Sequence, residues 1–405
     1  MGDPPLWRNG DFVRLWVGQV ISTVGSGVSR LALPLLVLAL TGSPVQAGLI
    51  GAAQSLPFIV LGLPAGALLD RLNRKRVMIV CDVARFVAFG SVPLALALGH
   101  MGTLHLYTVA LVQGSALAFF SIAQLAALPR VVPVRQLARA HSLNTASEGI
   151  ATLVSPGIGG MLVGLASTTV VGAALAYLVD SITYLASAIT LSTIRTPFQI
   201  ERKGPPPPPL SHQIREGLTY LWSRLALRLL AVINMVHRMC FAPVQLAAVL
   251  LAQQAFGADA QTIGLMFTAA GAGGLFAAAT TPWLRARVSA GHSMLALTVG
   301  HALGLTLVAL APNPLVAAAG LFVGGWMETM TGIVQVAYRL GIIPDELQGR
   351  VNSSYRLLSF SAVTLGTAVG GVLLAALGPR VVLLLLAGGI ALIAAGIALS
   401  PARRL

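Results

Sequence analysis

Val381-Val382-Leu383-Leu384-Leu385-Leu386 opens the last apolar segment of the chain, which runs over about 380–400. Its apolar residues follow one another without alternation. A barrel strand in a membrane alternates apolar and polar positions over about 10 residues. A continuously apolar stretch of about 20 residues instead crosses about 30 Å of hydrocarbon as a helix. The stretch reads as a membrane helix, and eleven more segments share its character. The twelve lie near 13–40, 47–69, 77–99, 104–127, 145–166, 170–193, 226–251, 262–284, 292–311, 315–338, 355–377 and 380–400.

The composition agrees. Of 405 residues, 56% are hydrophobic and 9% charged, against about 25% charged in a soluble domain. So few charges cannot cover a water-exposed surface of this size, and the mean hydropathy is +0.84. Twelve spans leave about 34 residues for each helix and its loop, which suits short connections. Cys81 and Cys240 both fall inside apolar runs, so no disulfide framework is expected. The first apolar stretch is too long for a signal-peptide core and no cleavage site follows it, so no cleaved leader is expected.

One long polar break interrupts the pattern. Glu201-Arg202-Lys203-Gly204 precedes five prolines, Pro205 to Pro209. A polyproline run is a stiff extended spacer and no membrane helix. The chain therefore divides into a six-helix bundle over 1–194, a cytoplasmic linker over 195–225 and a second six-helix bundle over 226–405. Of the 26 Lys and Arg, 23 fall at the termini, in the even-numbered connections or at helix ends beside them, with Arg85 counted among the helix ends. The excess of basic residues in those loops puts both termini in the cytoplasm. It also explains the basic pI without a nucleic-acid partner.

The halves repeat each other. Val131-Val132-Pro133 followed by Arg139 matches Ile342-Ile343-Pro344 followed by Arg350, at an offset of 211 residues. Ser155-Pro156-Gly157-Ile158-Gly159-Gly160 aligns with Gly366-Thr367-Ala368-Val369-Gly370-Gly371 at the same offset, as Arg74 and Arg76 do with Arg285 and Arg287. Parallel repeats of six helices are one plan on which secondary transporters build two bundles around a central site.

On these residues the chain resembles the major facilitator superfamily. Gly66-Ala67-Leu68-Leu69-Asp70-Arg71-Leu72-Asn73-Arg74-Lys75-Arg76 is similar to that superfamily's loop between its second and third helices. Gly66 would allow close helix approach, and Asp70 would cap a helix or pair with an arginine. With Arg71, Arg74 and Arg76 they form a candidate cytoplasmic latch; a plain basic loop is the bland alternative. Pro156, Gly159 and Gly160 resemble an element found in helix 5 of proton-coupled drug exporters, with Ser155 in place of its first glycine. Ordinary small-residue packing is the alternative, since glycine is abundant, 43 in 405.

More narrowly, the chain resembles the bacterial macrolide-efflux and siderophore-exporter branch. The resemblance rests on Leu6-Trp7-Arg8-Asn9-Gly10-Asp11-Phe12, Asp82 with Arg85, Leu128-Pro129, Val179-Asp180-Ser181 and Gly349-Arg350-Val351-Asn352. It implies an all-α polytopic protein of twelve transmembrane helices in two pseudo-symmetric bundles, sited in the bacterial plasma membrane. It also implies export of lipophilic small molecules by alternating access, with protons as the coupling ion and a monomer embedded in lipid. A narrow cargo such as a siderophore or lysolipid, and a non-transporting receptor on the same fold, are the alternatives. The chain departs from many relatives at Ser26 and near Ser121, where they carry acids, and at Ala110, where the superfamily has an arginine.

A charge near the bilayer centre costs about 2.5–3.5 kcal/mol on insertion scales, so buried ionisable groups need partners or a wet cavity. Four stand deep in spans. Arg30 in helix 1 and Asp180 in helix 6 lie at similar depth and are read as a structural pair. Arg238 in helix 7 and Glu328 in helix 10 lie mid-membrane, in helices that line the cavity of the resembled fold. Glu328 is the candidate protonation switch, with Arg238 favouring its charged form; a permanent ion pair is the alternative. His237 adjoins Arg238, and neighbouring helix positions are expected to face different sites. His237 and His301 are read as packed, hydrogen-bonded histidines. Gln113, Asn234 and Trp326 are candidate substrate contacts, though interhelical roles suit them as well.

No phosphate-binding loop with Gly-Lys occurs, because Lys75 and Lys203 follow arginines. No Cys/His spacing suggests zinc, and no nucleophile–His–acid set has a suitable context. The chain is read as no enzyme, with no cofactor and no metal.

Overall fold

A backbone N–H or C=O left unpaired in hydrocarbon is costly, so membrane-spanning chains satisfy these groups within helices or closed barrels. This chain takes the helical solution. The computed structural model describes residues 6–69, 71–199 and 210–400, and no strand occurs among the described residues. The helices are α1 (Gly10–Thr41), α2 (Pro44–Leu69), α3 (Arg74–Ala97), α4 (Thr103–Val131), α5 (Leu137–Gly164), α6 (Thr169–Thr193), α7 (Leu210–Ser223), α8 (Leu225–Phe241), α9 (Val244–Phe256), α10 (Ala260–Arg287), α11 (Ala290–Leu310), α12 (Pro314–Ile342) and α13 (Asp345–Leu399). Seven of them begin at a side-chain cap: Asn9, Ser43, Asn73, Thr168, Asp259, Ser289 and Asn313 each accept an amide N–H from the first turn.

Nine segments among the described residues are long and apolar enough to cross a membrane. One of them, Asp345–Leu399, is two helices: Gly378 has φ +75° and ψ 166°, a backbone region open to glycine alone, and Pro379 follows it. With α5 and α12, which carry charges inside their runs, the expected twelve spans are all present.

Two elements differ from expectation. The single helix expected over 226–251 is α8 and α9, broken at Ala242-Pro243. Proline has no N–H to donate and its ring crowds the carbonyl four residues back. In addition, α7 is a helix of 14 residues inside the stretch expected as linker. Leu221 on its apolar face packs with Leu227, Ile343, Val351 and Tyr355. The proline run lies outside the described residues.

The chain forms two compact units. The first comprises Met1–Leu40 and Ala53–Pro207, the second Thr41–Ala52 and Pro208–Leu405. In the first, α3 packs on α4 and α6, and α5 on α6. Glycines let α1 approach its neighbours: a Cβ on Gly25 would lie 2.7 Å from Asp180 Oδ1, and one on Gly159 of α5 would lie 3.0 Å from Val28 O. In the second unit, α10 and α11 pack on α12, while α8 and α11 pack on α13. The first residues of α2 belong to this unit, where a Cβ on Gly48 would lie 2.7 Å from the Cα of Gly371.

The sequence repeat has a packing counterpart. Gly159 of α5 meets Val28 of α1; its partner at the 211-residue offset, Gly370 of α13, packs on Pro243 beside the α8–α9 break. Nearby, a Cβ on Gly366 would lie 2.9 Å from the backbone Cα and C of Met239. Small residues replace side-chain interdigitation with backbone contact at both crossings. Gly366→Leu is therefore expected to push α13 off α8 and to cost about 1–3 kcal/mol, seen as a lower unfolding temperature of the detergent-solubilised protein. Leu365→Ala, at an exposed neighbouring position, is expected to leave that temperature within a degree or so.

Candidate functional site

The second unit gathers four ionisable side chains from three helices. Glu328 comes from α12, His237 and Arg238 from α8, and His301 from α11. Glycines bring these helices together. A Cβ on Gly304 of α11 would lie 3.1 Å from Gly320 O and 3.2 Å from Gly324 N of α12. His301 lies one turn before Gly304 and Glu328 one turn after Gly324, so close packing there sets imidazole beside carboxylate.

Arg238 Nη1 stands 2.9 Å from Glu328 Oε1. On the other carboxylate oxygen, His237 Nδ1 lies at 3.6 Å and His301 Nδ1 at 3.9 Å. His237 Nε2 and His301 Nδ1 share a hydrogen bond of 3.0 Å. Phe241 walls the pair, stacked parallel to the His237 ring and edge-on to His301. The Glu328 side chain keeps 17% of its exposure and Arg238 keeps 38%, whereas His301 is fully enclosed. The arrangement is an ion pair at its open end and a hydrogen-bonded imidazole pair at its closed end. Adjacent positions 237 and 238 both reach Glu328, contrary to the sequence expectation. Glu328 sits between their two directions, and the long arginine side chain spans the difference.

Three donors of His237, His301 and Glu328 lie within 4.8 Å of one another, a spacing that admits a small cation. The guanidinium bonded to the same carboxylate opposes a metal ion there, since it already supplies the positive charge.

The other candidate residues are placed as follows. Asp180 is fully buried and its carboxylate takes bonds from Ser29 Oγ and Thr183 Oγ1, at 2.5 and 3.1 Å, while Arg30 is exposed. Gln113 Nε2 donates to Tyr184 at 3.2 Å, and Asn234 Nδ2 donates to Gln335 at 3.2 Å while accepting from Ser359. Trp326 donates to Thr280 Oγ1 at 3.0 Å and packs against Phe276. All three therefore join helices within a unit. Pro156, Gly159 and Gly160 lie within α5, with Gly159 and Gly160 buried.

In the candidate latch, Asp70 lies outside the described residues. Among the described residues, a Cβ on Gly66 would meet nothing within 4 Å. Arg71 and Arg76 are exposed. Arg74 Nη1 reaches Ala126 O and Phe198 O at 3.4 and 3.5 Å, and the neighbouring Lys75 donates to Ile194 O at 2.5 Å. These cations cover carbonyls at and beyond the ends of α4 and α6, where helix dipoles favour positive charge.

Sequence reasoning undervalued Arg85. It is 3% exposed and sits eleven residues past the start of α3, not at a helix end. Its guanidinium lies between the rings of Phe120 and Tyr184, 5.0 and 5.1 Å from their centroids, and 3.6 Å from Asp82. The i,i+3 spacing of Asp82 and Arg85 on one apolar helix was the available signal.

The family described as transmembrane secretion effector matches residues 4–403. The chain belongs to the major facilitator superfamily. It is 30% identical to the multidrug efflux pump Tap of Mycobacterium tuberculosis (strain ATCC 25618 / H37Rv), over 91% of this chain and 88% of that protein. It is 26% identical to the enterobactin exporter EntS of Escherichia coli O1:K1 / APEC, over 91% of this chain and 85% of that protein. Among solved structures, a bacterial homologue of the iron transporter ferroportin in its inward-facing state superposes with a TM-score of 0.77 at 15% identity, covering 98% of this chain and 99% of that one. The nucleoside transporter NupG superposes with 0.76 at 11% identity, covering 96% and 98%. These likenesses extend along nearly the whole chain and fix its fold. This major facilitator protein is a membrane-spanning transporter, not an enzyme.

Removing one partner of a largely buried ion pair strands the other, at a cost of about 3–5 kcal/mol when burial is complete. Arg238 is part-exposed, so Arg238→Met is expected to cost about 1–3 kcal/mol. The double substitution Arg238→Met with Glu328→Gln is expected to recover part of that loss. A thermal double-mutant cycle in detergent reads the coupling directly.

Proposed function

We propose that this transporter exports lipophilic or amphiphilic small molecules by alternating access, in exchange for protons, from the cytoplasm across the bacterial plasma membrane. The observation that carries the reading is the Arg238–Glu328 ion pair at 2.9 Å inside a membrane-spanning bundle. An intramembrane acid with a cationic partner marks an ion or proton pathway. Adding a proton to the cluster around Glu328, or drawing Arg238 away toward a bound substrate, changes its charge by one unit. That change biases a two-state bundle, because each state solvates the pair differently. The efflux and exporter relatives support the outward direction.

In this reading the excess of basic residues in the even-numbered connections holds both termini in the cytoplasm. The loop from Gly66 to Arg76 serves as the cytoplasmic latch, the two six-helix halves move as bodies, and the protein works as a monomer. A narrower cargo is the second reading, favoured by the likeness to an enterobactin exporter.

The test uses inverted membrane vesicles with a preset acid interior and a pH-reporting dye. Ethidium, a macrolide and enterobactin are added in turn. Proton release with ethidium or the macrolide is expected for the wild type, and in Glu328→Gln it is expected to fall to the level of vesicles lacking the protein. Release with enterobactin alone would transfer the assignment to the narrow cargo. Silence with all three compounds, with the protein inserted, refutes proton exchange.

A further inference from the structure

Among the described residues, two fully buried atoms of the cluster have no hydrogen-bond partner: Nε2 of His301 and Oε2 of Glu328. They stand at opposite ends of one file of polar atoms. From His301 Nδ1 the file crosses 3.0 Å to His237 Nε2, and from His237 Nδ1 it crosses 3.6 Å to Glu328 Oε2. Arg238 holds the other carboxylate oxygen.

Ring protons follow from the signs of these contacts. If His237 Nε2 donated, its Nδ1 lone pair would face the carboxylate. The attractive assignment has His301 Nδ1–H donating to His237 Nε2, and His237 Nδ1–H directed at Glu328 Oε2. His301 Nε2 is then a buried lone pair, open to receive a proton.

We propose that His301 and His237 carry the exchangeable proton of this cluster as a coupled pair, with Glu328 as their fixed counter-charge. This rests on the reading of the cluster as the coupling site. A proton arriving at His301 Nε2 forms an N–H bond there. The Nδ1–H bond of His301 can then break as a bond forms at His237 Nε2, so the pair shares one added proton. It takes one and not two, because two doubly protonated rings would set N–H against N–H. Placing the proton on Glu328 instead would leave the Arg238 guanidinium without its counter-charge. Placing it on the pair gives the carboxylate a cation on each oxygen. Imidazole is the side chain whose unperturbed titration, near about pH 6.5, lies in the physiological range.

Other ionisable groups do not displace this assignment. From α8, Cys240 lies beside Gly389 of α13. From α13, Tyr355 spends its hydroxyl on Leu230 O and Gln335 Oε1, and Arg339 of α12 stacks over its ring at 3.9 Å. On α10 the charges are Arg285 and Arg287 in the last turn, and on α11 the other titratable group is His292 in the first turn.

The experiment is ring ¹⁵N NMR of the full chain, labelled at its seven histidines, in lipid nanodiscs between about pH 5 and 9. Two of the histidines are expected to titrate together in one step amounting to one proton. That joint step is expected to vanish in His237→Gln and in His301→Gln, and to survive with a changed midpoint in Glu328→Gln. Unchanged signals from His212 and His292 in each variant report an intact fold; a variant that fails this control is replaced by the asparagine substitution. Rings that stay neutral throughout, or two independent steps, overturn the proposal. The ethidium vesicle assay separates its failure from that of antiport. A joint step without proton release leaves the pair and removes antiport. Proton release with an unaltered pH profile in the His237→Gln/His301→Gln double variant does the reverse.

Discussion

Hydrocarbon solvates charge poorly, and the interior of this protein is arranged around that constraint. Glu328 and Arg238 occupy spans where either alone would be costly, and each neutralises the other at 2.9 Å. In the first unit, Arg85 meets the same constraint with Asp82 and two aromatic faces. Asp180 meets it with hydroxyls from Ser29 and Thr183. Glu328, Arg238, Arg85 and Asp180 are each held by neighbours from their own unit. Such pairs add little net stability; removing one partner strands the other in a poorly solvating interior.

Close helix packing makes these pairings possible. Hydrophobic burial cannot drive helices together in lipid, so small residues and backbone contact do so. Gly304, Gly320 and Gly324 seat α11 on α12, and that contact carries His301 to Glu328. Gly25 and Gly159 seat α1 on α6 and α5 in the same manner. A bulkier residue at such a crossing would shift the distances on which the charge cluster depends.

The two repeats share packing but not chemistry. The 211-residue offset pairs His237 with Ser26 and Arg238 with Gly27. Ser26 bonds to the Tyr184 hydroxyl at 2.8 Å, in a neutral network that extends to Gln113. The corresponding face of the second unit is ionisable. The histidine–carboxylate cluster thus belongs to one repeat, while the other retains two buried carboxylates, Asp82 and Asp180, and an arginine sealed among aromatic rings.

The sequence by itself determined the twelve spans, because uninterrupted apolar runs have no other stable form in a membrane, and it determined the repeat, because an offset is a property of order alone. It also singled out Glu328 and Arg238, since a charge in an apolar run is conspicuous. The break at Pro243 and the helix α7 were legible in principle, from a proline and an amphipathic pattern, but a broad apolar window smoothed over both. Only the tertiary structure decided that His237 and His301, 64 positions apart, share a hydrogen bond, and that Gln113 and Asn234 spend their amides on neighbouring helices. It alone set the face of each helix, through glycine contacts between elements distant in sequence. A histidine in an apolar run looks the same whether it faces lipid, a packed neighbour or a carboxylate, and the packing geometry that distinguishes them is nonlocal.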